Sequence, residues 1–249
     1  MEKHEYLSAD ETAEKPGEGF RAFSFSRSGL LQSNQMIRKT NGMERMYVGS
    51  SSFDYDPGIQ REKIVEDAIA FVRALFTGNS DGHDFDHTMR VYHTAMAIAD
   101  TEPQCDRLIV ALAALLHDTD DSKLFSTEHN ANARAFLDSQ GIGSSMTEEI
   151  CLTINSVSFS KNRGKRPESL NAMIVQDADR LDAIGAVGIA RTFAYGGKHG
   201  RPLDSSIRHF YEKLLLLKDL MNTRKAGEMA EERHQFMTGF LDEWKRETE

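Results

Sequence analysis

From residue 59 onward the apolar positions recur at three- and four-residue steps. Over 60–76 the stripe is Ile64, Ala68, Phe71, Val72, Leu75 and Phe76, and Gly78 closes it. Over 84–100 it is Phe85, Met89, Tyr92, Ala95, Met96 and Ala99. Over 105–118 it is Leu108, Ile109, Leu112, Leu115 and Leu116. The same period predicts helices at 127–140, 145–158, 169–183, 185–195, 204–222 and 224–246. No alternating stretch with hairpin turns interrupts them. The expected fold class is therefore all-α, a single helical bundle over 59–249. Residues 1–58 carry no sustained apolar period, several glycines and a Ser50–Ser52 run. They read as a loosely ordered N-terminal extension.

Composition narrows the function classes. The chain has 249 residues, a net charge of -9 and 28% charged residues. That acidity argues against a nucleic-acid surface, which needs a concentrated positive field. It leaves room for a small anionic ligand, because a bound divalent cation can dominate the local field. Cys105 and Cys151 have no paired spacing, so neither a disulfide framework nor a cysteine zinc site is expected. No apolar run approaches the ~18 residues of a membrane span. The acidic, polar start lacks the features of a signal or transit peptide, so the expected location is the cytoplasm.

Three stretches carry the chemistry. In the first, Gly82-His83-Asp84-Phe85-Asp86-His87, the two histidines are four residues apart and share a helical face. The bland alternative is that Asp84 caps the helix and the histidines lie on the surface. His87 sits at the margin of the buried stripe, where a ligand would be placed. In the second, an apolar helix runs into His117-Asp118-Thr119-Asp120-Asp121. Burying unpaired carboxylates costs several kcal/mol by rough estimate, unless a divalent cation sits among them. Nitrogen and oxygen ligands suit zinc, manganese, iron, nickel or magnesium. Alone, this pair would read as a helix C-terminal cation followed by a solvated turn. In the third, Met173-Ile174-Val175 leads into Asp177, Asp179 and Asp182, and the last two share a face at i, i+3. The alternative is an exposed face paired with Arg180.

The order His87, His117-Asp118, Asp179 resembles the metal signature of the HD-domain (His-Asp) phosphohydrolase superfamily. The stretches GHDFDHTMRV, ALLHD and IVQDADRLDAIGAVGIARTFAYGG look like a branch of small bacterial HD hydrolases. With RPLDSSIRHFYEKLLLLKDLMNTRKAG the likeness covers residues 60–245. It implies an all-helical fold and one divalent metal ion held by His87, His117, Asp118 and Asp179. It also implies hydrolysis of a phosphate ester or anhydride, of a nucleotide or another small phosphorylated metabolite, by a metal-activated water. Asp118 would then serve catalysis as a ligand. Asp121, one turn further on, is the candidate general acid. His83, Arg90, Lys123, Arg180 and Lys161 are the candidate substrate contacts. Val157 stands where this branch often has His, which removes any contact such a residue would make.

Two basic loops, Ser160–Arg166 and Gly196–Arg201, stand out in an acidic chain. Each reads either as a phosphate-attracting segment or as a solvated turn. His93 and His129 are not expected to be ligands. The apolar face of 207–221 has two readings, core or the surface of a homo-oligomer. Two rival functions use the same ligands: a cyclic or oligonucleotide phosphodiesterase, and a non-catalytic metal- or nucleotide-binding module. Asp121 and the nearby cations favour an enzyme.

Overall fold

The structure, a computed structural model, describes residues 57–78, 84–158, 162 and 165–249. Most of the expected extension, 1–58, lies outside the described residues, as do His83 and Lys161. Among the described residues there are nine α-helices, one 3-10 segment and no strand. No helix among them is long and apolar enough to cross a membrane.

The helices are α1 (Pro57–Leu75), α2 (Phe85–Ala99), α3 (Arg107–Leu116), α4 (Ala131–Ser139) and α5 (Ser144–Val157). They continue as α6 (Leu170–Asp182), α7 (Gly185–Lys198), α8 (Leu203–Glu212) and α9 (Arg224–Thr248). The centre is α3. Every residue from Leu108 to Leu116 is buried, so this helix is apolar all round. Asp106 caps it, accepting from the amides of Leu108 at 2.9 Å and Ile109 at 3.3 Å. Around it pack α1, α2, α5 and α6. Val157, at the end of α5, is buried in this core.

The second half is tied to α6 by polar bonds as much as by apolar packing. Asp177 is fully buried. It accepts from the amides of Asn222 and Thr223, both at 2.8 Å, from the Asn222 side chain at 2.7 Å and from the Thr223 hydroxyl at 2.9 Å. Gln176 adds bonds to the Ser156 carbonyl and the Asn222 side chain. The acid that the sequence placed beside the site is therefore spent on the joint before α9. Beyond it, Phe193, Phe210, Phe240 and Trp244 stack together and join α7, α8 and α9.

One predicted helix is corrected. The 204–222 segment breaks at Lys213, and residues Leu214–Leu220 form a 3-10 segment. Its leucines explain the change. Side chains three apart eclipse in a 3-10 helix. Leu214 and Leu217 are buried there, with Leu220 next in the same row. The apolar face of 207–221 is thereby used in the core through Phe210, Leu214 and Leu217.

Replacing Asp177 with Ala strands several buried donors at once. Urea unfolding should register a loss of about 3 kcal/mol. A loss under ~0.5 kcal/mol would show that the joint does not depend on this carboxylate.

Candidate metal centre

Four side chains from three places in the chain meet at one end of α3. His87 sits on the first turn of α2, whose N-cap is Asp84. The Asp84 carboxylate accepts from the His87 amide at 2.8 Å, so the bland reading of Asp84 is the one observed. This cap starts the helix so that the His87 side chain points inward, where the residue is buried. His117 is the C-terminal cap residue of α3, and Asp118 follows it. Asp179 comes from the third turn of α6.

The Nε2 atoms of His87 and His117 lie 3.3 Å apart. Asp118 Oδ2 lies 3.4 Å from the first and 3.2 Å from the second. Asp179 Oδ1 lies 3.5 Å from the first and 3.9 Å from the second. His87, His117 and Asp179 offer ligand atoms all within 4.8 Å of one another. Among the described residues this is the one such group found.

The tautomers decide what this cluster can hold. His117 Nδ1 lies 2.8 Å from the Ala114 carbonyl oxygen, which can only accept. His87 Nδ1 lies 2.7 Å from Asp182 Oδ2. Arg191 Nη1 is 3.0 Å from the same nitrogen, but it shares the Asp182 oxygen, and the shorter contact to a carboxylate sets the proton. Both Nδ1 atoms therefore donate. In the neutral rings both Nε2 atoms then present lone pairs to the same point, which two carboxylates also face. Such a set repels itself unless a cation lies within it, and nitrogen plus carboxylate is a donor set for a divalent ion. The residues present fit the metal.

Asp182 organises the surroundings. It is buried and accepts from His87, from Arg90 Nε at 2.7 Å and Nη2 at 3.1 Å, and from Arg191. Burial alone would raise its carboxyl, but the His87 and Arg90 hydrogen bonds and the Arg191 charge hold it well below the usual range. A carboxylate behind a ligand imidazole fixes the ring and raises its basicity. Arg90, predicted to touch substrate, is thus engaged by this carboxylate.

The other predicted residues divide. The Asp121 carboxylate accepts from the Lys123 amide at 2.8 Å with Oδ1, and its Oδ2 makes no hydrogen bond among the described residues. Lys123 is exposed on the same turn. Asp120 accepts from the amides of Asn132 at 2.9 Å and Ala133 at 3.1 Å, capping α4 from a distance. Arg180 is not brought to the cluster. It is buried and donates to the Leu220 carbonyl, next to the 3-10 segment. His93 is exposed, and His129 and Asn130 lead into α4 with φ of 56° and 57°.

Two cations near the cluster escaped the sequence reading. Arg191 is the lone charged residue of α7 before Lys198, and that isolation in an otherwise uncharged helix was the available signal. Gly185, with a φ of 77°, starts α7 where a Cβ would meet the Arg233 side chain at 3.0 Å. That tight start aims α7 so that Arg191 reaches Asp182. Lys213 sits at the helix break. Burial lowers its pKa, the Asp179 carboxylate works against that, and the Lys123 and Arg191 charges add to it. No spacing in the sequence pointed to it.

An HD domain model matches residues 84–184. An uncharacterized protein of Bacillus subtilis (strain 168), YpgQ, is 43% identical over 188 residues, covering 72% of this chain and 91% of its own. The chain belongs to the HD-domain family. A crystal structure of Bacillus subtilis YpgQ in complex with ADP is similar at 36% identity and a TM-score of 0.66, covering 76% of this chain and 96% of that one. An HD-superfamily hydrolase from Bacillus thuringiensis is similar at 37% identity and a TM-score of 0.64, over 75% of this chain and 97% of its own. The fold is that of HD-superfamily hydrolases, and the HD domain implies metal binding.

Protons and metal compete for this cluster. Without metal, burial lowers the His117 imidazole, but the Asp118 and Asp179 carboxylates and the Ala114 carbonyl outweigh it and raise the pKa to about 9. A raised folded-state pKa gives stability that is full below the unfolded value near 6.5 and lost as pH rises through 9. The melting temperature of chelated protein should therefore fall between pH 6.5 and 9. The gain on adding manganese should grow over the same window. A gain that shrinks with rising pH would contradict the donor set. Asp182→Asn should weaken metal affinity on the order of 10- to 100-fold, with helical content unchanged. Metal titration followed by circular dichroism checks both parts.

Proposed function

We propose that this chain is a metal-dependent phosphohydrolase, with His87, His117, Asp118 and Asp179 as the ligands of one divalent ion. The observation that carries the reading is the pair of imidazole Nε2 atoms, 3.3 Å apart, faced by two carboxylates. A divalent ion held there supplies an acidified water and draws charge from a phosphoryl oxygen. The protein supplies the rest. Asp182, Arg90 and Arg191 keep His87 aligned, and the Ala114 carbonyl keeps His117 aligned.

Lys213 lies within reach of the Asp179, Lys123 and Arg191 charges, and Arg191 pairs with Asp182 behind His87, so positive charge gathers beside the cluster. Neutralising the non-bridging oxygens is most of what a protein adds to phosphoryl transfer. Asp121 Oδ2 is available to protonate a leaving oxygen. The substrate class we propose is a nucleotide or a similar small phosphorylated metabolite. The ADP complex of the related Bacillus subtilis protein supports that choice. The single cluster among the described residues suits one ion rather than the pair used by many phosphodiesterases.

The test is product release from a panel of nucleoside mono-, di- and triphosphates and sugar phosphates with added manganese. Wild type should turn over at least one member, and Asp118→Ala should lower kcat by about 10³-fold or more. Tight nucleotide binding without turnover of any member would instead identify a binding module.

A further inference from the structure

Arg180 is the charged side chain that the metal centre leaves unexplained. It is 4% exposed, and its Nε is buried with no hydrogen-bond partner. One amino group donates to the Leu220 carbonyl, and the guanidinium makes no ion pair among the described residues. Arg90 and Arg191 each rest on a carboxylate by contrast. Burial lowers the Arg180 pKa, with only the more distant Asp177 and Asp179 charges opposing it. Asp177 is already occupied by Asn222 and Thr223. A buried cation lacking a bonded anion is destabilising unless one is supplied from outside.

Arg180 lines a cleft of about 190 Å³ with Lys165, Arg166, Asp219 and Asn222. Arg166 is held at its edge by the Asn222 carbonyl at 3.3 Å. Three cations thus face one acid. We propose that this cleft is a second anion site, separate from the metal centre, that takes a phosphate-class oxyanion of orthophosphate or pyrophosphate size. The Arg166 guanidinium, the second amino group of Arg180 and a lysine suit tetrahedral oxygens, which accept several hydrogen bonds each. The volume, about 190 Å³, lies below the ~300 Å³ at which pockets for drug-sized molecules begin, which suits a small oxyanion. An ion there would bridge the 165–166 strand of chain, α6 and the joint before α9. It would sit one residue along α6 from Asp179, but bonded to neither it nor the histidines.

The site stands independently of the proposed hydrolysis. The experiment titrates orthophosphate and, separately, pyrophosphate into full-length manganese-loaded protein freed of excess metal, by calorimetry and thermal shift. The variants are the exposed pair Lys165→Ala/Arg166→Ala and the metal-centre variant Asp118→Asn. One of the two anions should bind saturably to wild type and to Asp118→Asn with similar affinity. Affinity should fall at least tenfold in the double variant, whose melting temperature without anion should match wild type. Arg180→Lys should weaken binding in the same direction, and the double variant decides if this one fails to fold. Equal affinity in the double variant, loss of all binding in Asp118→Asn, or no saturable binding of either anion would overturn the proposal.

Discussion

Everything at the centre depends on where two protons are held. The Ala114 carbonyl takes the Nδ1 proton of His117, and Asp182 takes that of His87. Because those protons face backward, both Nε2 atoms face forward, 3.3 Å from each other. An arrangement of this kind is unfavourable by itself. It persists because α2, α3 and α6 are fixed by a core that outweighs it, and a divalent cation would satisfy it. The same constraint explains the arginines behind the site. Asp182 must stay ionised while buried, and Arg90 and Arg191 keep it so.

The acidic residues illustrate how differently one residue type can be employed. Asp84 and Asp106 cap helices in the ordinary way. Asp120 caps α4 across a loop, because Asn130 at its start is left-handed and gives no side-chain cap. Asp177 ties α6 to the joint before α9. Only Asp118 and Asp179 turn toward the imidazoles, with Asp182 one layer behind. Burial and helix phase, rather than composition, separate these roles: Asp177 and Asp182 lie on different sides of α6 from each other, although both are buried.

The Lys213 break has a similar logic. A continuous helix over 204–222 would satisfy hydrogen bonding, but three-residue spacing among the leucines favours 3-10 winding against the core. The break sets Lys213 beside Asp179, and the far end of the segment delivers Leu220 to Arg180. One short segment therefore touches both the metal centre and the basic cleft.

Much of this was legible in the chain. The three- and four-residue apolar period marked the helices, and the family pattern marked His87, His117, Asp118 and Asp179, because periodicity and local motifs are properties of neighbouring residues. The sequence did not reveal which acids cap and which face the histidines, since that depends on helix rotation against distant partners. It did not reveal Arg191 or Lys213, which reach the site from elements with no motif of their own. It suggested Arg180 as a substrate contact, and packing instead turned that guanidinium toward Leu220. Local order is written in nearest neighbours. The direction of a side chain at a shared site is set by contacts 30 to 100 residues away, such as His117 with His87 and His87 with Asp182, and only the folded chain decides those.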